Sequence, residues 1–179
     1  MAGRLIAYYS RDGENYCDGR IVDLAEGNTQ VIAKKIQHFT GGDLFRIEPL
    51  HPYPAGYDEA VELAQQELKK HVRPELAGSP CPAERYDIVY LGYPIWWGVM
   101  PMPVLTFLEQ YDFSGKTVIP FCTHEGSGMG DSVAYIRRSC PGARVLEGLA
   151  LYGSRRDRSD QAIRAWLDKT EAALKVSGA

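Results

Sequence analysis

Residues 86–98 read YDIVYLGYPIWWG, an apolar run followed by a proline, two adjacent tryptophans and a glycine. A short apolar run bounded by turn-forming residues is typical of a buried β-strand, which we place at residues 86–91. The residues that follow, 93–102, then form a loop at the carboxyl end of this strand. This one stretch therefore predicts both a strand and a loop that carries unusual aromatic side chains.

The rest of the chain repeats this pattern of short apolar runs separated by amphipathic stretches. Further strands are predicted at residues 4–9, 43–47, 116–122 and 143–151, and helices at residues 28–38, 58–70, 101–108, 130–138 and from Ser159 onward. Alternating strands and helices are typical of a parallel sheet with helices on both faces. We therefore predict an α/β fold of three layers, with a doubly wound, five-stranded parallel sheet in the middle.

One proline conflicts with this scheme. Pro120 lies within the predicted strand 116–122, and a proline has no N–H group with which to bond a neighbouring strand. We therefore predict a β-bulge at Pro120.

Length, composition and charge restrict the class of protein. The chain has 179 residues, of which 45% are hydrophobic and 24% charged, and its formal net charge is −3. These values predict a single domain over residues 1–179, and they give no reason to expect the basic surface that nucleic-acid binding needs. The four cysteines form no Cys-x-x-Cys pair, so we expect neither a metal site nor a disulfide framework. The first apolar run is too short for a signal peptide or a membrane span, and we predict a cytoplasmic protein without membrane contact.

Three loops are predicted to meet at one edge of the sheet. In a doubly wound sheet the ligand lies beyond the carboxyl ends of the strands, near the point where the winding direction changes. The loops that leave the strands at this point are residues 10–29, 93–102 and 123–132. Their residues are therefore the candidates for a binding site.

The first loop predicts an anion site. It ends in Gly27, Asn28 and Thr29 at the start of a predicted helix, where free backbone amides and the helix dipole favour a negative charge. The hydroxyls of Ser10 and Thr29 add donors, so a phosphate fits here without a lysine. The sequence lacks the Walker motif of nucleotide triphosphatases. An ordinary helix start is the alternative interpretation.

The second loop contains the adjacent tryptophans Trp96 and Trp97. Two such large side chains are costly to expose unless a planar or apolar group covers them, and a flavin ring is such a group. Alternatively, they belong to the core or to the interface of a homodimer. Gly98 adds a position at which the backbone tolerates a peptide flip.

The third loop is rich in glycine and begins with Thr123 and His124. The exposed amides of such a loop can approach the polar edge of a bound ring. His124 either transfers a proton or hydrogen-bonds within the loop, and the sequence leaves both roles open.

Together, the three loops resemble those of the flavodoxin-like family, in particular of its short-chain members. Tyr9 and Ser10 with residues 27–29 resemble the family's phosphate loop, residues 94–98 its first flavin-flanking loop, and residues 123–128 its second. The resemblance implies the strand order 2-1-3-4-5 and a noncovalently bound FMN that carries out the redox chemistry, so no catalytic side chain is assigned. It implies FMN contacts from Ser10, Arg11, Asn28, Thr29, Pro94, Ile95, Trp96, Trp97, Gly98, Thr123, His124, Glu125, Gly126, Ser127 and Gly128.

Two features depart from the family pattern. Residues 11–26 separate the halves of the phosphate loop, and Asp18-Gly19 within them predicts a β-hairpin insertion, which either covers the flavin, contacts a partner or is decorative. Flavodoxins that replace ferredoxin are strongly acidic, whereas this chain has a net charge of −3 and a basic segment at residues 154–158. This segment is either a solvated loop or a site that attracts an acidic partner or a pyridine-nucleotide phosphate.

Three functions are compatible with these features. The first is electron transfer through bound FMN to a redox partner protein or a small-molecule acceptor, aided by a carbonyl near Trp97 and Gly98 that turns toward the flavin. The second is an FMN-dependent NAD(P)H oxidoreductase that reduces a quinone or a similar small acceptor. The third is a non-redox module of the same fold that binds a partner protein through the tryptophan pair.

Overall fold

The computed structural model of the protein describes residues 3–176, which contain eight strands and five α-helices. The strands are β1 (Arg4–Tyr8), β2 (Gly13–Cys17), β3 (Arg20–Leu24), β4 (Asp43–Arg46), β5 (Ile88–Pro94), β6 (Thr117–His124), β7 (Arg144–Val145) and β8 (Leu149–Tyr152). The helices are α1 (Asn28–Thr40), α2 (Tyr57–Lys69), α3 (Met102–Gln110), α4 (Ser132–Ser139) and α5 (Asp160–Val176), with 3₁₀ helices at Ala83–Arg85 and Gly153–Arg158. Among these described residues, no helix combines the length and the apolar character that a membrane crossing requires.

The central sheet has the strand order β4-β1-β5-β6, and β7 and β8 together fill the fifth position beside β6. Every pairing in this sheet is parallel. With β7 and β8 counted as one strand and the hairpin β2–β3 left out, the order is 2-1-3-4-5. The predicted doubly wound α/β fold and its strand order are confirmed.

Two hydrophobic cores fill the spaces between the sheet and its helices. On one face, α1 and α5 pack through Ile32, Ile36 and Ile163. On the other face, α3 and α4 pack through Leu105 and Ile136. Successive side chains of a strand point to opposite faces, so the central strands contribute to both cores and the molecule has three layers.

The predicted bulge at Pro120 is wrong, because the interruption lies in the neighbouring strand. The pairing of β6 with β5 keeps one register from Thr117 to Thr123. The predicted strand at residues 143–151 is in fact two strands, and the gap between them lies opposite Pro120. Thr117 bonds toward β5 and alternate residues of a strand face opposite neighbours, so Pro120 faces the gap, where no N–H donor is needed.

The two central strands extend further than predicted. β5 continues to Pro94 and β6 to His124, whereas the sequence predicted ends at residues 91 and 122. Thr123 and His124 are therefore the last residues of a strand, and their backbone is held by the sheet.

A hairpin formed by β2 and β3 lies outside the central sheet. Its two-residue turn is Asp18-Gly19, with φ values of 49° and 84°. Such turns require positive φ at both positions, which aspartate and glycine tolerate. The hairpin lies between the end of β1 and the start of α1 in sequence, next to the predicted anion site.

Candidate functional site

A cavity of about 330 Å³ lies at the carboxyl edge of the sheet, where the three predicted loops meet. Small-molecule sites commonly measure about 300–1,000 Å³. The predicted residues that line it are Ser10, Arg11, Asn28, Thr29, Pro94, Ile95, Trp96, Trp97, Thr123, His124 and Glu125. Gly98, Gly126, Ser127 and Gly128 belong to the same loops but are not among the lining residues.

The two halves of the first loop touch in space, although residues 11–26 separate them in sequence. A Cβ atom at Gly27 would lie 2.2 Å from Ser10 Oγ and 2.4 Å from the Arg11 carbonyl oxygen. Only glycine permits this approach of two backbone segments. The Gln30 amide also donates to Ser10 Oγ at 3.0 Å. The insertion therefore leaves the loop compact.

The start of α1 presents backbone donors to the cavity. The first hydrogen bond of the helix runs from the Val31 amide to the Gly27 carbonyl at 3.2 Å. The amides of Asn28 and Thr29 precede this bond and have no partner within the helix. Both residues line the cavity, so this end of it has the donors and the dipole that an anion needs.

The second loop turns back on itself within four residues. The Trp96 amide donates to the Val99 carbonyl at 2.8 Å, and the Val99 amide donates back to the Trp96 carbonyl at 3.2 Å. Trp97 and Gly98, between them, have φ values of 55° and 80°. Positive φ is rare for a bulky residue, and Trp97 is held there by a 2.9 Å hydrogen bond from its Nε1 to the Val61 carbonyl of α2.

The two tryptophans differ in their surroundings. Trp96 packs edge-on against Tyr9 and Tyr53, with ring centroids 5.5 and 5.0 Å away. Trp97 is 49% exposed. Both side chains line the cavity, but Trp96 is part of an aromatic cluster at the edge of the core, and Trp97 presents the freer aromatic surface.

Helix α2 forms a wall of the cavity that the sequence did not predict. It contributes Tyr57, Ala60, Val61 and Ala64, and both alanines are buried. Small residues one helical turn apart leave space beside a helix, and this spacing of Ala60 and Ala64 can be recognised in the sequence. The sequence analysis did not identify this wall, because α2 follows β4, and the loop after β4 was not one of the three predicted to form the site. The other lining residues outside the prediction are Asn15, Tyr16 and Gly153.

The hairpin also lines the cavity, through Asn15 and Tyr16, and is anchored at two places. Tyr16 stacks on Tyr57 with the ring centroids 6.3 Å apart, and Glu14 Oε2 accepts a hydrogen bond from the Tyr57 amide at 2.8 Å. At the tip, the Asp18 amide donates to Glu125 Oε2 at 3.0 Å. The hairpin therefore spans the cavity from α2 to the third loop.

Arg11 lines the cavity, but its guanidinium group bonds to backbone oxygens. Nη2 donates to the carbonyls of Pro54 at 2.8 Å and Ala55 at 2.6 Å, and Nη1 donates to the Glu14 carbonyl. These bonds tie the base of the hairpin to the segment before α2.

His124 hydrogen-bonds within the third loop. Its Nδ1 accepts from the Gly126 amide at 2.9 Å, and its ring centroid lies 4.6 Å from that of Tyr152. Burial lowers the pKa of His124, and the carboxylate of Glu125 opposes this effect in part. The imidazole is therefore mainly neutral at pH 7, with its proton on Nε2 because Nδ1 is an acceptor.

The comparisons with known proteins agree with this architecture. The family model described as flavodoxin matches residues 22–170. A crystal structure of a candidate flavoprotein from Bacteroides eggerthii is 32% identical, with 94% of this chain and 97% of that chain covered and a TM-score of 0.75. A candidate flavoprotein from Bacteroides uniformis is 28% identical, with 91% and 98% covered and a TM-score of 0.71.

A more distant match is a flavoprotein from Lactobacillus acidophilus, solved in complex with FMN. It is 22% identical, with 88% of this chain and 98% of that chain covered and a TM-score of 0.64, a likeness of fold. None of the curated proteins matches the chain. The family match spans most of the chain, and the Bacteroides eggerthii protein is similar over nearly the whole of it. The predicted membership of the flavodoxin-like family is thereby confirmed, and the chain belongs to the flavodoxin family.

Proposed function

We propose that this protein binds FMN noncovalently in the cavity and transfers electrons through it. The observation that carries the proposal is that anion donors and an exposed tryptophan line the same cavity at the carboxyl edge of the sheet. The family assignment and the FMN complex of the Lactobacillus acidophilus protein support the choice of cofactor.

The donors at the start of α1 fit a phosphate group. Ser10 Oγ, Thr29 Oγ1 and the amides of Asn28 and Thr29 lie along the same part of the cavity wall. Ser10 and Thr29 are buried, so their bonds to an anion would be protected from competing water. We propose that these groups hold the phosphate of FMN.

The remaining walls fit a flat, largely apolar ring. Trp97 provides an exposed aromatic face, and Ala60 and Ala64 of α2 provide a smooth apolar surface. His124 adds a neutral N–H donor beside the polar residues at the end of β6. We propose that Trp97 contacts the ring system and that His124 lies at its polar edge.

FMN, when bound, supplies the redox chemistry, and the protein supplies binding, orientation and electrostatics. The chain contributes two walls of the cavity, namely the hairpin and α2. It also contributes His124, whose pKa is lowered by burial and whose tautomer is fixed by the Gly126 amide.

A second candidate function, an FMN-dependent NAD(P)H oxidoreductase acting on a quinone or a similar small acceptor, is favoured by the geometry of the second loop. In a carrier, the carbonyl between Trp97 and Gly98 could turn toward the flavin by a flip of this peptide. The flipped turn would put Trp97 into a conformation adopted almost only by glycine. In addition, the Gly98 carbonyl accepts from the Asp131 amide at 2.8 Å, and Gly130 packs against it. A loop held in one form suits hydride transfer, which needs no such rearrangement.

The rim of the cavity also favours a small-molecule partner. Tyr16, Trp97 and Tyr152 are 44%, 49% and 42% exposed, and Tyr152 lies against His124. Half-exposed rings beside a cofactor site offer a surface for a second planar molecule.

Titration of apoprotein with FMN tests the proposal, with the quenching of flavin fluorescence as the readout. We expect saturable uptake of one FMN per chain. No saturable uptake would reject both redox functions and leave the non-redox partner-binding module.

Rapid mixing of the FMN-loaded protein with NADH or NADPH in the absence of oxygen separates the two redox functions. Fast bleaching of the flavin absorbance band by either nucleotide supports the oxidoreductase. If neither nucleotide bleaches the flavin while a one-electron donor does, the carrier is supported.

A further inference from the structure

We propose that Arg156 is a positioning residue for the phosphate end of the cavity and makes the site prefer a phosphorylated flavin over riboflavin. This inference rests on the proposed function. It also assigns a role to the basic segment at residues 154–158 that differs from attraction of a partner.

Arg156 turns inward and bonds to both sides of Gly27. Its Nη1 donates to the Glu26 carbonyl and to Asn28 Oδ1, the latter at 3.1 Å. Its side chain is only 21% exposed. The guanidinium group, which is distant in sequence, therefore fixes the segment that leads into α1.

The backbone of Arg156 is itself fixed to α1. Lys35 Nζ donates to the Arg156 carbonyl at 2.7 Å and pairs with Asp160 at 2.7 Å. The Ser159 hydroxyl donates to the same carbonyl at 2.6 Å. Since both its side chain and its carbonyl are bonded to the α1 region, Arg156 cannot move away from the loop without breaking several bonds.

The bond to Asn28 sets the direction of a cavity-lining amide group. With Oδ1 facing Arg156, the NH₂ group of Asn28 is directed to Cys17 Sγ, at 3.6 Å. Sulfur is a weak acceptor, so this NH₂ group remains available to an anion. Without Arg156, the amide can rotate and present its oxygen, which repels an anion.

The charge of Arg156 adds to this effect. The hydroxyls and amides at the phosphate end are uncharged, and the guanidinium of Arg11 is occupied by carbonyl oxygens. The Glu125 carboxylate lines the same cavity and is bonded to the amides of Asp18 and Ser154. A partly buried positive charge bonded to the start of α1 attracts a dianionic phosphate more strongly than a solvated positive charge does. Riboflavin, which ends in an uncharged hydroxyl, gains nothing from it.

The neighbouring arginines provide matched controls. Arg155 and Arg158 belong to the same 3₁₀ helix but are exposed, and the guanidinium of Arg155 lies over the Tyr152 ring at 5.0 Å. Arg158→Gln removes the same charge from the same segment without touching the α1 contacts.

The test is the affinity of apoprotein for FMN and for riboflavin in the wild type, Arg156→Gln, Arg156→Lys and Arg158→Gln. We expect Arg156→Gln to weaken FMN binding roughly tenfold or more, as for the loss of a charge-assisted bond, and to change riboflavin binding less than about twofold. The FMN affinity of Arg156→Lys, which keeps the charge, should lie between those of the wild type and Arg156→Gln. The FMN affinity of Arg158→Gln should match that of the wild type.

The inference is overturned if Arg156→Gln leaves the ratio of the FMN and riboflavin affinities unchanged, or if Arg158→Gln changes that ratio equally. Either result leaves the proposal that the wild type binds FMN untouched. Absence of FMN uptake by the wild type would instead reject the proposed function, and the inference with it. Riboflavin binding also shows whether each variant retains a folded cavity, and if Arg156→Gln does not fold, the ratio in Arg156→Lys decides.

Discussion

The side-chain hydroxyls of Thr29 and Thr123 lie 2.8 Å apart, although the two residues are 94 positions apart in sequence. Both are buried, with exposures of 1% and 4%. Thr29 belongs to the first turn of α1 and Thr123 to the end of β6. This bond therefore joins the start of α1 to the strand that leads into the third loop.

Replacing either threonine by valine should destabilise the apoprotein. Each single variant leaves the other hydroxyl buried without its partner, which costs about 1–3 kcal/mol. The double variant Thr29→Val/Thr123→Val should lose less than the sum of the two, because no unpaired hydroxyl remains. Urea unfolding of the four proteins measures this, and strictly additive losses would contradict the coupling.

Gly27→Ala should disrupt the anion site. The new Cβ would meet Ser10 Oγ and the Arg11 carbonyl oxygen, so we expect a loss of about 1–3 kcal/mol in stability from overpacking and weaker FMN binding.

Gly56→Ala is the matched control for this change. Gly56 precedes α2 with φ and ψ of −68° and 141°, against −64° and 150° for Gly27. Its Cβ would meet only the flexible carboxylate end of Glu59, at 3.2 Å. Equal losses in the two variants, measured by urea unfolding and FMN titration, would show that close packing of the loop is unimportant.

The two tryptophans should respond differently to substitution. Trp97→Ala should weaken FMN binding by about 1–3 kcal/mol, the usual range for loss of a stacking partner, with little change in apoprotein stability. Trp96→Ala should destabilise the apoprotein by about 3 kcal/mol, because it removes a ring packed against Tyr9 and Tyr53. Thermal unfolding and FMN titration of both variants check this, and the reverse pattern would assign the ring contact to Trp96.

Glu125→Gln should loosen the hairpin. The carboxylate accepts from the Asp18 amide at 3.0 Å and from the Ser154 amide at 2.7 Å, and glutamine has only one oxygen with which to do so. We expect amide hydrogen exchange to become roughly tenfold faster at whichever of Asp18 and Ser154 then lacks an acceptor, and FMN to be released faster.

Glu109→Gln serves as the control for the hairpin variant. Its carboxylate forms an ion pair with Arg73 at 2.8 Å on α3, and Glu109 is not a lining residue of the cavity. If exchange at both Asp18 and Ser154 is as slow in Glu125→Gln as in Glu109→Gln, the carboxylate does not anchor the hairpin.

The pKa of His124 predicts a pH dependence of stability. Burial lowers this pKa in the folded protein, below the value of about 6.5 in an unfolded chain. The unfolded chain therefore binds more protons as the pH falls below about 6.5, and the free energy of unfolding falls until the pH reaches the folded pKa. His124→Gln should flatten this part of the profile, as measured by urea unfolding between pH 7 and 5. An unchanged slope would contradict the assignment.

The sequence was sufficient to predict the fold and the family. Short apolar runs that alternate with amphipathic helices leave few topologies open, because parallel strands need crossovers and crossovers are right-handed. The doubly wound topology then placed three loops at one edge of the sheet, and these loops do line one cavity. The register of β6 at Pro120 could not be predicted, since the gap that accommodates the proline lies in a strand distant in sequence.

Side-chain direction depended on tertiary packing. Trp96 and Trp97 are equivalent in sequence, and a two-residue turn with positive φ sends one toward Tyr9 and the other to the cavity surface. Arg156 is one of three arginines in a basic segment, and only its contact with α1 turns it inward. Local sequence carries the periodicity that defines strands and helices. The partners of these side chains instead come from distant segments, 36 residues away for Trp97 and 128 for Arg156.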